Sequence, residues 1–248
     1  MTASTLHPLI KKLQAGVHLR DDEKAAILAL PFTTRAVPAD QDIVSDGERP
    51  THSVIILSGF ACRYKILPDG KRQIFAFHIS GDMPDVQALH LDIMDHGLGT
   101  LTPTQIATVP HEALRKFLHA QPRIADAIWR DTLVDAAIFR EWMANVGRRE
   151  AYARAAHLLC ELYTRLKAVG LTTGAHYEMP ITQEELGDAM GLSTVHVNRT
   201  LQELRGEGLI RSVGRNIVIT NWEGLQKAGQ FDPTYLHLRT PVECAPEK

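Results

Sequence analysis

Side chains that can hydrogen-bond to nucleic-acid bases recur between residues 193 and 205 of this 248-residue chain. Arg199 carries a guanidinium, which suits bidentate pairing with O6 and N7 of guanine. Ser193, at the start of the segment, is a residue type that caps helix N-termini. The helical spacing of these polar residues predicts a helix that enters a DNA groove. One arginine from the segment after this helix is also expected to contact DNA. The predicted DNA contacts are Ser193, Thr194, Val195, His196, Asn198, Arg199, Gln202, Arg205 and Arg215.

Such a helix needs a partner helix and a tight turn, and the spacing of three residues indicates both. Gly187 has no side chain to obstruct a helix crossing, and Gly191, four residues later, can adopt the positive φ of a sharp turn. Val197, six residues further on, can fill the angle between the two helices. An inner apolar face at helical spacing comprises Leu186, Met190, Leu192, Leu201 and Leu204. Residues 181–219 are therefore predicted to form a helix-turn-helix followed by a β-wing.

The overall charge excludes a histone-like binder. The chain has 27 basic and 29 acidic residues and a formal net charge of −2. DNA contact must therefore depend on a local basic patch, for which Arg199, Arg205, Arg211 and Arg215 are candidates. A hydrophobic content of 44% is that of a globular protein with a proper core.

The cysteines do not indicate a disulfide framework or a metal knuckle. Cys62, Cys160 and Cys244 are far apart and form no CxxC pair. No stretch approaches the about 20 apolar residues that a membrane span requires, and the N-terminus lacks the pattern of a signal peptide. We therefore expect a cytoplasmic protein with no membrane partner.

Between residues 37 and 118, short apolar or alternating runs are separated by Gly, Pro and Asp, which is typical of β-structure. Asp69 and Gly70 lie between two such runs and predict a hairpin. Strands are expected over 53–57, 61–67, 73–78 and 105–109, after two short helices, the second of them starting near Asp21 or Asp22. Successive strands without helices between them favour a small antiparallel barrel or roll.

A long helix follows, because residues 123–146 contain neither Gly nor Pro. Its apolar residues form more than one stripe, which predicts packing both on its own barrel and on a second copy of the chain. We expect Ile138 at the seam between copies and Gly147 at the end of the helix. The predicted fold is α+β, with a β-roll sensor domain and N-terminal helices (1–121), a dimerisation helix (122–147), a winged helix-turn-helix (148–230) and a tail (231–248).

This order of parts resembles the Crp/Fnr family of bacterial transcription regulators along nearly the whole chain. The segment ITQEELGDAMGLSTVHVNRTLQELRGEGLI, residues 181–210, is similar to the helix-turn-helix of that family in length and glycine placement. The resemblance implies a jelly roll like that of cyclic-nucleotide-binding domains. It also implies a non-enzymatic homodimer that binds double-stranded DNA at a near-palindromic site, with RNA polymerase as a further partner. Arg199 matches a base-contacting arginine of the family. Many members have a glutamate where this chain has Val195, which can contact a thymine methyl group instead.

The sensor half departs from the family pattern. Members that bind cyclic nucleotides hold the ribose with a Gly-Glu pair and the phosphate with an Arg-Ser pair. In this chain Gly81 and Asp82 resemble the first pair, but Met94 and Asp95 stand in place of the second. Because a methionine and a carboxylate cannot neutralise a phosphate, cyclic AMP is not expected as the ligand. No cysteine precedes Cys62, so the N-terminal iron–sulfur cluster of the oxygen-sensing members is not expected either, and no cofactor is predicted.

Acidic residues and histidines are concentrated between residues 81 and 96, which leaves alternatives open. They are Asp82, Asp85, His90, Asp92, Asp95 and His96. The segment is consistent with a metal, haem or small-molecule site, or with capping and hydrogen bonding inside an ordinary loop. A jelly-roll metal enzyme and an oligomeric ligand-binding module are the competing functions, and the metal enzyme leaves residues 181–219 unexplained.

Overall fold

The computed structural model describes residues 5–239. Its helices are α1 (His7–Gln14), α2 (Asp21–Leu28), α3 (His111–Ala120), α4 (Pro122–Arg148), α5 (Ala151–Ala168), α6 (Gln183–Met190), α7 (Thr194–Gly206) and α8 (Trp222–Gly229). Its strands are β1 (Thr33–Val37), β2 (Asp42–Val44), β3 (His52–Ser58), β4 (Ala61–Ile66), β5 (Arg72–His78), β6 (Gly97–Thr100), β7 (Thr104–Pro110), β8 (Thr172–Thr173), β9 (His176–Glu178), β10 (Ile210–Val213) and β11 (Asn216–Ile219).

The N-terminal half contains the expected antiparallel β-roll. One sheet has the order β1-β7-β3, and the other has the order β2-β6-β4-β5. The four predicted strands are present, each within one residue of its expected limits. The turn between β4 and β5 contains Gly70 at φ 83°, a conformation that glycine adopts without strain.

Four helices cover the first of these sheets and close its core. Apolar residues of α1 and α2, such as Leu9 and Ile27, pack with Ile55 of β3 and Val109 of β7. Residues from α3 and from the first turns of α4, including Ile124, complete the cluster. This burial fixes α1 and α4 against the roll, where both contribute side chains to the cleft described below.

Helix α4 is long, as predicted, but two details differ from the expectation. It continues through Gly147 and ends at Arg148, because a helical glycine with open space around it weakens a helix without stopping it. Ile138 is only 5% exposed and packs in the core of its own protomer with Val134 and Trp142. It therefore cannot lie at a seam between copies. Four residues after Ile138, the indole of Trp142 packs edge-on against Phe77 at 5.4 Å.

The C-terminal half is a winged helix-turn-helix. Helices α5, α6 and α7 pack around one core, and the wing strands β10 and β11 form an antiparallel sheet with β9 and β8. After α8 the chain forms a 3₁₀ turn, Pro233–Leu236. Cys62 and Cys160 are buried and unbonded to each other, whereas Cys244 lies outside the described residues. Within residues 5–239, no helix combines the length and apolar character needed to cross a bilayer.

Candidate nucleic-acid interface and sensor cleft

The crossing of α6 and α7 has the predicted geometry. Gly191 ends α6 in the left-handed conformation, at φ 65° and ψ 39°. A Cβ on Gly187 would lie 2.6 Å from the carbonyl oxygen of Leu192, so only glycine allows this approach. Val197 is completely buried between the helices. The three residues that suggested a helix-turn-helix in the sequence thus define its angle in the structure.

Both helices begin with a side-chain cap. The Thr182 hydroxyl accepts a hydrogen bond from the Glu185 backbone N–H at 3.2 Å, and the Glu185 carboxylate accepts one from the Thr182 N–H at 2.6 Å. Ser193 caps α7 as predicted, accepting from the His196 N–H at 3.3 Å. At α7, whose first turn carries no acidic residue, the helix dipole and the remaining N–H groups favour a phosphate.

The outer face of α7 is open to solvent. Val195 is 81% exposed, an unusual environment for a large apolar side chain. Thr194, Arg199 and Gln202 are also exposed, as is Arg215 at the tip of the wing. An exposed guanidinium four residues after an exposed valine presents a hydrogen-bond donor and an apolar contact on one helix face.

Three predicted contact residues are partly engaged within the protein. The Asn198 amide donates to Gln183 Oε1 at 3.1 Å and so links α7 to the first residue of α6. Arg205 Nε donates to the Ser212 hydroxyl at 3.0 Å and links α7 to the wing. His196 is half-buried. These bonds hold the reading helix in place, a role that the sequence pattern did not reveal.

The sensor half contains a buried cluster of charges around Asp82. One carboxylate oxygen accepts from Lys12 of α1 at 2.8 Å, and the other accepts from Arg165 of α5 at 3.1 Å. His78 Nδ1 lies 3.4 Å from the same carboxylate. Burial alone would raise the pKa of Asp82, but the Lys12 charge, the His78 hydrogen bond and the Arg165 charge hold that pKa well below its usual range.

A second ion pair closes the same cleft. Arg63 of β4 pairs with Asp135 of α4, and its Nε donates to the Pro84 carbonyl at 2.8 Å. Lys12 also lies 3.4 Å from Asp131 of α4. Although burial opposes its charge, the carboxylates of Asp131 and Asp82 raise the pKa of Lys12. The cleft between α1, α4 and residues 82–87 retains about 30 Å³ of free space, which is room for one or two water molecules.

The predicted effector-pocket residues do not come together around this cleft. Asp82 lines it, and the adjacent Gly81 packs against Pro8 and Lys12 of α1. Met94 is instead buried in a separate apolar cluster with Val54 and Leu98. Asp95 is exposed, and its carboxylate lies 2.6 Å from Nδ1 of His96.

The other acidic residues and histidines of segment 81–96 are also dispersed. His90 and Asp92 are exposed, whereas Asp85 is fully buried. In the part of the chain that the structure describes, no three His, Cys, Asp or Glu side chains are grouped so that they could hold a metal ion. The concentration of these residues along the sequence therefore does not produce a cluster in space.

Sequence reasoning missed the partners of Asp82. Lys12 and Arg165 lie 70 and 83 residues away along the chain, and a lysine on a short helix or an arginine on a long one carries no local signal of burial. Only the packing of α1 and α5 on the same loop brings them together.

The comparisons with known proteins agree with this architecture. Residues 153–228 match the Crp-like helix-turn-helix domain, and residues 34–121 match the cyclic nucleotide-binding domain. A probable transcriptional activator of Rhizobium leguminosarum bv. viciae is 26% identical over 197 residues, which cover 78% of this chain and 80% of that protein. The transcriptional activator protein FnrL of Cereibacter sphaeroides is 24% identical over 217 residues, covering 84% of this chain and 86% of that protein.

A solved structure shares the fold. The structure of FixK2 from Bradyrhizobium japonicum superimposes with a TM-score of 0.73 at 26% identity, covering 80% of this chain and 98% of that one. The order of domains, the helix-turn-helix geometry and the relatives agree. The chain belongs to the Crp/Fnr family and is a DNA-binding transcription regulator.

Proposed function

We propose that the protein acts as a homodimer that places two α7 helices in successive major grooves of a near-palindromic site, about 34 Å apart. The exposed face of α7, with Val195 81% exposed beside Arg199, is the observation that carries this proposal. Within the chain we assign sensing to residues 1–121, dimerisation to 122–147 and DNA binding to 148–230.

The exposed outer face of α7, called the reading face below, supports a division of roles among its side chains. Arg199 would pair with guanine O6 and N7, and Val195 would contact the 5-methyl group of a thymine. Ser193 and Thr194 at the helix N-terminus, with Arg215 on the wing, would contact phosphates and fix the register. Asn198 and Arg205, already bonded to Gln183 and Ser212, would act mainly by holding α7 in position.

A stripe along α4 supports dimerisation. Trp129 and Met143 are 62% and 64% exposed, and Leu133 is also exposed. With Ala136 they recur at spacings of four, three and seven residues, as the core positions of a coiled coil do. The opposite side of α4 packs on the chain's own core, so this stripe remains for a second copy.

We infer further that cyclic AMP is not the effector. Each cation that lines the cleft is paired with a carboxylate of the chain itself, Arg63 with Asp135, and Lys12 and Arg165 with Asp82. A phosphate bound in this cleft would have to displace one of these carboxylates. Calorimetric titration with cyclic AMP should show no saturable heat, and micromolar binding would contradict this inference.

FnrL of Cereibacter sphaeroides is named a transcriptional activator, and we extend that activity to this chain, with RNA polymerase as the partner at the promoter. Transcription in vitro from a selected operator, with and without the protein, would test the direction of control. Repression in that assay would contradict the extension while leaving DNA binding intact.

The central experiment is selection of fragments from a genomic library at two salt concentrations. We expect enrichment of a single near-palindromic motif and weaker binding at the higher salt, because phosphate contacts release counterions. Retention of fragments without a common motif would contradict sequence-specific regulation.

A further inference from the structure

After α8 the chain leaves the helix-turn-helix and returns to α4 and to the end of α1. Residues 231–239, called the strap below, begin with Phe231, which is buried beside Trp222 of α8. The carbonyl of His237 accepts a hydrogen bond from Arg130 of α4 at 2.7 Å. The backbone N–H of Arg239 then donates to the Ala15 carbonyl just after α1, at 2.8 Å. The strap thus joins the DNA-binding half to α4 and to the end of α1.

The middle of the strap is anchored by a buried hydrogen-bond chain. The Tyr235 hydroxyl donates to Glu161 of α5 at 2.8 Å and lies 3.1 Å from Nε2 of His157. Nδ1 of His157 lies 3.0 Å from the carbonyl of Gly229 at the end of α8. Glu161 is fully buried, so its carboxylate depends on these donors.

The same carboxylate connects the strap to the charged cleft. Glu161 accepts from the Trp142 indole of α4 at 3.1 Å and from Arg165 at 3.2 Å. Arg165 in turn donates to Asp82 of the sensor loop at 3.1 Å. A continuous set of buried polar contacts therefore runs from Tyr235 to Asp82.

A second attachment joins β5 of the roll to α6 of the helix-turn-helix. Arg72 at the start of β5 pairs with Asp188 of α6 at 2.7 Å, and the Gln73 amide donates to the Asp188 carbonyl at 2.8 Å. In the orientation that these attachments fix, the reading face of α7 points to solvent, with Val195 and Arg199 exposed. The attachments therefore hold an orientation in which α7 is accessible to DNA.

We propose that the strap is a positioning element that holds each DNA-binding half in the orientation used on a full operator. The proposal rests on the homodimer proposed above. A dimer whose two halves swing freely must lose that freedom when it binds both half-sites, and a strap that fixes them beforehand reduces this cost. Binding to a single half-site does not require the two DNA-binding halves to be fixed relative to each other.

The experiment compares Arg130→Ala and Tyr235→Phe with Glu223→Gln, which alters an exposed residue of α8 outside these contacts. Arg130→Ala removes the bond to the His237 carbonyl, and Tyr235→Phe removes the hydroxyl between Glu161 and His157. We expect each to weaken binding to the full palindromic site by about tenfold and to leave half-site binding unchanged. Glu223→Gln should match the wild type on both. If Tyr235→Phe does not fold, full-site and half-site binding by Arg130→Ala, a change at the protein surface, tests the proposal alone.

Hydrogen exchange provides a readout that does not involve DNA. In both variants the amides of residues 234–239 should exchange faster than in the wild type, with sedimentation still reporting a dimer. Equal or tighter full-site binding by both variants would overturn the proposal, as would unchanged exchange. If the wild type itself binds no preferred site, the proposed operator recognition fails, and the exchange experiment alone decides whether the strap holds the two halves together.

Discussion

Gly187 of α6 approaches the carbonyl oxygen of Leu192 so closely that a Cβ at residue 187 would lie 2.6 Å from it. The obstacle is backbone rather than a flexible side chain, so it cannot rotate away. The contact lies immediately before Ser193, which caps the reading helix α7. The angle at which α7 is presented to DNA therefore depends on the absence of one methyl group.

Gly187→Ala should destabilise the C-terminal half by about 1–3 kcal/mol and reduce operator binding, because α7 must shift to accommodate the new methyl group. Chemical denaturation and binding to a selected operator would measure both effects. The matched control is Gly206→Ala near the end of α7, where a Cβ meets nothing within 4 Å. That change should be neutral or slightly stabilising, and equal effects of the two substitutions would contradict the packing argument.

Arg199→Ala should cost about 1–3 kcal/mol of binding free energy on the preferred operator and little on random DNA, because a bidentate contact to guanine is lost. Arg211 on the wing is also exposed. Arg211→Ala should weaken binding to the operator and to random DNA equally, as expected of a phosphate contact. Fluorescence anisotropy with the two DNAs would measure the difference. An equal loss on both DNAs for Arg199→Ala would make Arg199 a phosphate contact.

Val195→Glu should change which base is preferred at one position of each half-site. A carboxylate accepts hydrogen bonds from the amino group of cytosine, whereas the valine methyls can only make apolar contacts such as that with the thymine methyl. Repeating the fragment selection with this variant would show the new preference. Replacing that thymine with uracil removes the methyl group. The change should weaken DNA binding by the wild type and leave binding by the variant unchanged. An unchanged motif would show that Val195 does not face a base.

The parts of the fold that follow from local rules could be predicted from the sequence, and the parts that depend on distant contacts could not. Gly187, Gly191 and Val197 define a helix-turn-helix by spacing alone, and the structure confirms each of them. The prediction that Ile138 lies at the seam between copies was wrong. Several apolar stripes on one helix do not indicate which of them packs on the protomer's own core. The partners of Asp82 lie far along the chain, so their burial follows only from how α1 and α5 pack.

Met143→Asp should convert the dimer to monomers, because Met143 is exposed in the protomer and would bury a charge only in the contact between two copies. Ala144→Asp adds the same charge at an exposed position of α4 outside the seam spacing and should leave assembly unchanged. Ile138→Asp should instead reduce the amount of folded protein, since Ile138 packs inside the protomer. Sedimentation velocity would distinguish these outcomes. A dimer that survives Met143→Asp would place the contact between copies on another surface.

Asp85→Asn should make stability less dependent on pH. Asp85 is fully buried, its Oδ1 accepts from the Val54 N–H at 2.8 Å, and its Oδ2 has no hydrogen-bond partner among the described residues. Burial raises the pKa of Asp85 from 3.8 to about 7. The pKa of Asp85 is higher in the folded state than in the unfolded state. The contribution of its protonated carboxyl to the free energy of unfolding is therefore complete below about pH 4 and is lost as the pH rises through about 7.

The wild type should therefore lose on the order of 2 kcal/mol of unfolding free energy through this group between pH 5 and pH 8. Asp85→Asn keeps an oxygen for the Val54 N–H but cannot ionise, so its stability should fall less over that range. Urea denaturation at pH 5, 6, 7 and 8 would compare it with Asp92→Asn, a change at an exposed residue of the same loop that should follow the wild type. Parallel pH profiles for all three proteins would show that the Asp85 carboxyl does not titrate in this range.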